Sequence, residues 1–242
     1  MAHYDDMQEL LTDVSRLRGE LEKQYQDART DPEIKTVLRP AVKSALEQLR
    51  SALEYSAYGL YEKYCTATMN ERNVYFPYAL EEAAFNLRMD ACLKGLPAAC
   101  PGAADAIRSI QPFACGDDWL PNLCNQTNFL KHKGLGEIAR ENSPHSALSL
   151  GNIFRATNSN ITFGEIVVNG VRVNAGGPVR VSPATTRVEL QNQLIEPAKH
   201  LATQEFEYVK FMFAKTAEDT LELIGKAHDG IATYAEAVKP YL

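Results

Sequence analysis

Ile34–Tyr64 reads IKTVLRPAVKSALEQLRSALEYSAYGLYEKY, and the periodicity of this stretch decides the fold. Its apolar residues Ile34, Leu38, Val42, Leu46, Leu49, Leu53, Ala57, Leu60 and Tyr64 recur every three or four positions, which stacks them on one face of a helix. The spacing predicts a helix from about Pro32 to Cys65, kinked or split near residue 39 because Pro40 lacks the N–H that an interior turn needs. Upstream, Leu10, Val14, Leu17, Leu21 and Tyr25 predict a first helix over residues 8 to 29, closed by Thr30-Asp31-Pro32. A period near 3.5 in both helices suggests an antiparallel pair within a bundle.

Working outward, TATMNERNVYFPYA (66–79) loses the period and reads as an extended loop, with Tyr75, Phe76 and Tyr78 pinning it to the bundle. Helices follow over about 80–94, closed by Gly95, over 101–109, and over 119–133, with Asp117 or Asp118 as N-cap and Gly134 and Gly136 as terminators. Residues 137–147 are polar, contain Pro144 and read as a linker. Then GNIFRATNSNITFGEIVVNGVRVN (151–174) alternates, and Asn169-Gly170 between EIVV and VRVN is a strong hairpin signal. GGPVRVSP (176–183) and TTRVELQ (185–191) read as short strands, and TQEFEYVKFMFA (203–214) as one longer strand with a break. Thr216 with Asp219 resembles a capping box that opens a last helix carrying Leu221, Ile224, Ala227, Ile231 and Tyr234 on one face. The expected fold is mainly α with an α+β character. Residues 1–136 form an antiparallel helical bundle; residues 137–242 form a small antiparallel β-sheet and a C-terminal helix packed back on the bundle as one compact unit.

The 242 residues carry a formal net charge of −6, so no global field draws the chain to nucleic acid or to an anionic membrane. No apolar run approaches the roughly 18 residues of a membrane span. MAHYDDMQELL has no basic region followed by an apolar one, so a cytoplasmic location is expected. The five cysteines, Cys65, Cys92, Cys100, Cys115 and Cys124, are odd in number and form no CxxC pair, which argues against a disulfide framework or a zinc site; no metal and no cofactor are expected. Gly176-Gly177 lacks the phosphate-loop pattern, and Ser143, His145 and Ser146 are explained as a polar loop.

LCNQTNFLKHKGL (123–135) is the most function-like segment. Asn125, Asn128 and His132 are spaced to share a helix face, with Lys131 and Lys133 on either side of the histidine. Histidine suits proton transfer near neutral pH, Asn128 can orient a ring or bind a phosphate oxygen, and the lysines supply positive charge. Asn125, Lys131 and Lys133 are therefore candidate RNA- or nucleotide-binding residues. The competing reading is a satisfied hydrogen-bond network at a helix C-terminus, with the cations complementing the helix dipole.

ALEQLRSALEYSAYGLYEKY (45–64), VYFPYA (74–79), IRSIQPF (107–113) and WLPNLCNQTNFLKHKGL (119–135) together resemble bacterial HEPN-like proteins over about residues 35 to 135. The matching positions are Leu49, Arg50, Ala52, Leu53 and Glu54, then Phe76-Pro77, then Gln111-Pro112-Phe113, then Asn128 to His132. The resemblance implies a helical bundle, often a homodimer, found among toxins and antiviral defence proteins. Active members cut RNA without a metal through an R-x(4–6)-H motif. This chain departs from that motif: the positions ahead of His132 are Thr127, Gln126 and Asn125, and none is arginine. Arg50 is the candidate substitute, although Glu54 lies one turn on and is placed to pair with it. The expectation is a module binding RNA, a nucleotide or a partner protein, in a bacterial defence or toxin–antitoxin setting. The alternative is a metal-independent endoribonuclease with His132 as acid/base, Asn128 as orienter and Arg50 as phosphate stabiliser.

Overall fold

Helix α1 (Ala2–Thr30) turns Met7, Leu11, Val14, Leu17 and Leu21 inward, the i, i+3, i+4 stripe that its spacing demands. The computed structural model describes residues 2–66, 70–196 and 198–242, with the side chains of His132 and Lys133 excepted. Helix α2 (Arg39–Tyr64) starts later than the sequence suggested, with Pro40 in its first turn. The proline therefore does not kink a helix begun at Pro32; its missing N–H costs nothing where no intrahelical partner exists. His3 bonds Glu62 and Gln48 donates to Asp13, so α1 runs antiparallel to α2.

The remaining helices are α3 (Glu82–Cys92), α4 (Leu96–Ala99), α5 (Pro101–Ser109), α6 (Pro112–Cys115), α7 (Trp119–Lys133), α8 (Arg187–Asn192) and α9 (Thr220–Val238). Helix α9 packs on α2, α5 and α7 and buries Leu223, Ile224, Ala227, Ile231 and Tyr234. Gly230 permits the close approach of α7, since a Cβ there would stand 2.5 Å from Cζ2 of Trp119. The capping box expected at Thr216 is displaced by three residues. Asp219 is the N-cap and accepts from the Glu222 N–H at 2.9 Å, while Thr216 Oγ1 accepts from Gln126. The cap forms where an acceptor meets the N3 amide, and only Asp219 holds that place.

The strands are β1 (Ile138–Asn142), β2 (Ser146–Leu150), β3 (Phe154–Thr157), β4 (Ile161–Phe163), β5 (Val167–Val168), β6 (Val171–Arg172), β7 (Val179–Val181), β8 (Ala202–Phe206) and β9 (Val209–Phe213). They form small antiparallel sheets ordered β3-β2-β8, β4-β7 and β5-β6, with β1 beside β9. The β5–β6 turn has Asn169 at φ 50° and Gly170 at φ 79°, the two positive values a type I′ hairpin requires. Residues 137–147 are not a linker but hold β1 and the start of β2, with Glu141 and Asn142 exposed and Arg140 and Ser146 half-buried. TTRVELQ is not a strand: Thr186 and Glu189 form a reciprocal capping box and open α8. The expected long strand divides at Glu207-Tyr208 into β8 and β9. Leu148, Leu150, Ile166, Val173, Val179, Val181, Leu190 and Leu194 form a core of their own.

The chain falls into two units, one of residues 1–22, 37–138 and 212–242 and one of residues 23–36 and 139–211. The division differs from a single boundary at 136: the C-terminal helix α9 belongs to the helical unit, because its apolar stripe is completed by α2, α5 and α7. Among the described residues no helix is long and apolar enough to cross a membrane.

Candidate ligand cleft between α2 and α7

Helix α7 is opened by Asp117, whose Oδ1 accepts from the Trp119 N–H at 2.9 Å; Asp118 is the N-cap residue but makes no side-chain cap bond. The helix buries Trp119, Leu120, Leu123, Cys124 and Leu130, and with them Gln126 and Thr127. Thr127 satisfies its hydroxyl within the helix by donating to Leu123 O and Cys124 O, both at 2.9 Å. Asn125, Asn128 and Lys131 are left on the exposed face. The spacing that the sequence showed is thus a solvent-facing stripe. His132 and Lys133 stand on α7, but their side chains lie outside the described residues.

Asn128 and Lys131 border a cleft of about 530 Å³ whose opposite wall, from α2, includes Glu47, Arg50 and Glu54. Asn125 is not on its lining. The structure therefore unites three of the candidate residues, Arg50, Asn128 and Lys131, and leaves Asn125 outside. Tyr75, expected to pin the loop, is instead 57% exposed and forms the cleft rim; Phe76 is the anchor, packed edge-on against Tyr234 at 5.4 Å.

Arg50 is tied down on three sides. Its Nη2 lies 2.5 Å from Glu54 Oε1, its Nη1 donates to Cys124 Sγ, and its guanidinium sits 5.1 Å from the centre of the Tyr78 ring. Burial works against its charge, but the groups around it, Glu54 among them, more than compensate and raise its pKa. Burial pushes the Cys124 thiol up to about 11, against the pull of Arg50, so at neutral pH this sulfur is a protonated thiol and no nucleophile. Burial likewise raises the Tyr78 hydroxyl, while Arg50, Arg88 and a hydrogen bond from Asn128 act in the other direction.

Glu54 has a second task. Its Oε2 accepts from the Phe76 N–H at 2.8 Å, and Gln111, fully buried, donates to Pro77 O and accepts from Ala79 N, each at 3.1 Å. The LRSALE, FPYA and QPF segments are thereby one hydrogen-bonded clasp around the Phe76-Pro77 turn. A buried loop must satisfy its backbone groups, and here side chains from α2 and the start of α6 do so. Sequence reasoning missed Gln111 and Tyr78 as partners; the Phe-Pro and Gln-Pro pairs were visible, but not that one closes the other.

Formal charges on the cleft lining cancel: Glu47 and Glu54 against Arg50 and Lys131. Among the described residues Lys131 has no ion pair, whereas Glu47 has Lys43 at 3.6 Å. No group of His, Cys, Asp and Glu side chains among the described residues is placed to hold a metal ion. Comparison with models of known families, with curated proteins and with solved structures finds no match.

Proposed function

We propose that the chain is a non-catalytic HEPN-like module that binds single-stranded RNA in the cleft between α2 and α7. Lys131 meets a backbone phosphate, Asn128 hydrogen-bonds the nucleotide, and the exposed Tyr75 ring stacks on a base. The observation that carries this reading is the engagement of Arg50. Cleavage at a ribose 2′-OH requires a cation to balance the charge that develops on phosphorus. The arginine nearest to that role is held by Glu54, Cys124 and Tyr78. The groups left to meet a ligand are those of a binding surface. The homodimer and the defence or toxin–antitoxin setting, which rest on the resemblance, and the cytoplasmic location expected from the sequence belong to the same proposal.

The test is fluorescence anisotropy with a labelled single-stranded RNA, run beside a gel assay of the same RNA in EDTA. Binding that weakens with salt, falls in Lys131→Ala and Tyr75→Ala, and leaves the RNA intact is the expected result. A stacked base contributes about 1–3 kcal/mol, so Tyr75→Ala should weaken binding by roughly tenfold. Cleavage in EDTA that His132→Ala abolishes would replace this reading with the endoribonuclease. The absence of any RNA binding would end both.

A further inference from the structure

The strand unit has a cleft of its own, about 450 Å³, on the polar face of the β3-β2-β8 sheet. Its centre is Glu205 of β8, which receives two arginines. Arg29 Nη2 donates to Oε1 at 2.8 Å, and Arg155 Nη2 donates to Oε2 at 2.7 Å. The register explains how residues so far apart in sequence meet. Ala147 stands opposite Glu205 on one side and opposite Thr157 on the other, and Arg155 pairs with Ser149 two positions along. These side chains share a face, since strand residues two apart point the same way. Arg155 therefore reaches Glu205 diagonally across Ala147, whose methyl group is too small to block the path and leaves the cleft floor open.

The two guanidinium groups are not equivalent. Arg29 spends Nε on Phe206 O, Nη1 on Gln26 and Nη2 on Glu205. Arg155 spends Nη2 alone, is 61% exposed, and keeps Nε and Nη1 unengaged among the described residues. The hydrogen bond from Arg155, with the charges of both arginines, lowers the Glu205 pKa against the effect of burial, so the carboxylate is ionised at neutral pH and fully answered. Two guanidinium charges on one carboxylate leave one positive charge over. Further donors face the same space. Thr157 and the exposed His145 complete the lining, whereas Ser146, next to Ala147 in the strand, turns its hydroxyl to the other face, where it accepts from Gln204 at 2.9 Å. Glu207, the second carboxylate there, is exposed at the rim and brings the formal charge of the whole lining to zero, so the surplus charge is local to Arg155.

We infer that this cleft is a binding site for the phosphate group of a small phosphoester such as a mononucleotide, with Arg155 as the ligand-binding residue and Glu205 as its positioning residue. A guanidinium held by a carboxylate through one nitrogen presents its other edge in a fixed plane, the geometry that fits two phosphate oxygens. Thr157 supplies a neutral donor of the kind a phosphate also takes.

The experiment is isothermal titration calorimetry on the full chain in a low-salt buffer free of phosphate, with AMP in one arm and inorganic phosphate in the other. Saturable binding in either arm is expected, tighter for AMP if the phosphate comes on a nucleotide and equal if it comes free. Arg155→Ala should lower the affinity by about tenfold or more, and Arg155→Lys should restore only part of it, because an ammonium keeps the charge and loses the two-pronged fit. Glu207→Gln should tighten binding. Loss of the AMP heat in Lys131→Ala but not in Arg155→Ala would place the ligand in the cleft between α2 and α7 and overturn the inference. Arg155 is exposed, so its variants should fold, and their circular dichroism will verify it. Undiminished affinity in Arg155→Ala, or no heat from either ligand up to about 1 mM, overturns the inference.

Discussion

Arg50 Nη2 and Glu54 Oε1, one helical turn apart on α2, are 2.5 Å from each other, and the same carboxylate holds the Phe76 N–H through its other oxygen at 2.8 Å. A single side chain thus neutralises the cleft arginine and closes the Phe-Pro turn. Glu54→Gln should lower stability by about 1–3 kcal/mol, since a half-buried guanidinium loses its charge partner. The same change should tighten RNA binding by adding one net positive charge to the cleft. Thermal melts and RNA titrations would measure both. Unaltered RNA affinity would mean that Arg50 already serves the ligand despite Glu54.

Gly230→Ala should destabilise the helical unit. Alanine ordinarily favours a helix over glycine by about 1 kcal/mol. Here the added Cβ would lie 2.5 Å from Cζ2 and 2.7 Å from Cε2 of the buried Trp119 ring. Overpacking a rigid ring costs about 1–3 kcal/mol, so the clash outweighs the propensity gain. A urea melt in which Gly230→Ala is more stable than the parent would contradict this packing.

Glu218 sets a pH dependence. Burial raises its pKa and the nearby Glu222 and Asp117 add to the rise, while Asn122 and Lys226 oppose it; its buried Oε2 has no hydrogen-bond partner among the described residues. The folded carboxyl therefore holds its proton more tightly than the unfolded one. The stabilisation this gives is complete below the unfolded value and is lost as pH rises through the folded value. At neutral pH the parent carries an ionised, partly desolvated carboxylate that Glu218→Gln lacks. The variant should melt higher at pH 7, and the gap should close as pH falls toward about 4. A gap that widens on acidification would reverse the sign.

Thiol reactivity should rank by environment. Cys115 is exposed, whereas Cys124 is buried beneath Arg50 with its thiol pushed up to about 11. A disulfide reagent at about pH 8 should label Cys115 quickly and reach Cys124 only on unfolding, because the thiolate is the reacting form. Peptide mapping that finds Cys124 labelled in the native protein as fast as Cys115 would show that the α2–α7 contact opens.

Much of this protein follows from rules that act over three or four residues. Helices over 101–109 and 119–133, the Asn169-Gly170 turn and the inward face of α2 all stand as their local spacing implies. Even two misread features carried a local signal: Pro40 suited a first turn, and Thr186 with Glu189 spelled a capping box inside a segment that also alternated like a strand. The polar stripe on α7 was likewise visible, but spacing tells only which side chains share a face, not what stands opposite. That was decided by tertiary structure. Cys124 and Tyr78 reach Arg50 from two other segments, Gln111 closes a turn more than thirty residues upstream, and Arg29 and Arg155 converge on Glu205 from two further ones. A charge's availability depends on which partners the packing brings within about 4 Å, and contacts between distant segments are set by strand register and helix docking rather than by any neighbour in the chain.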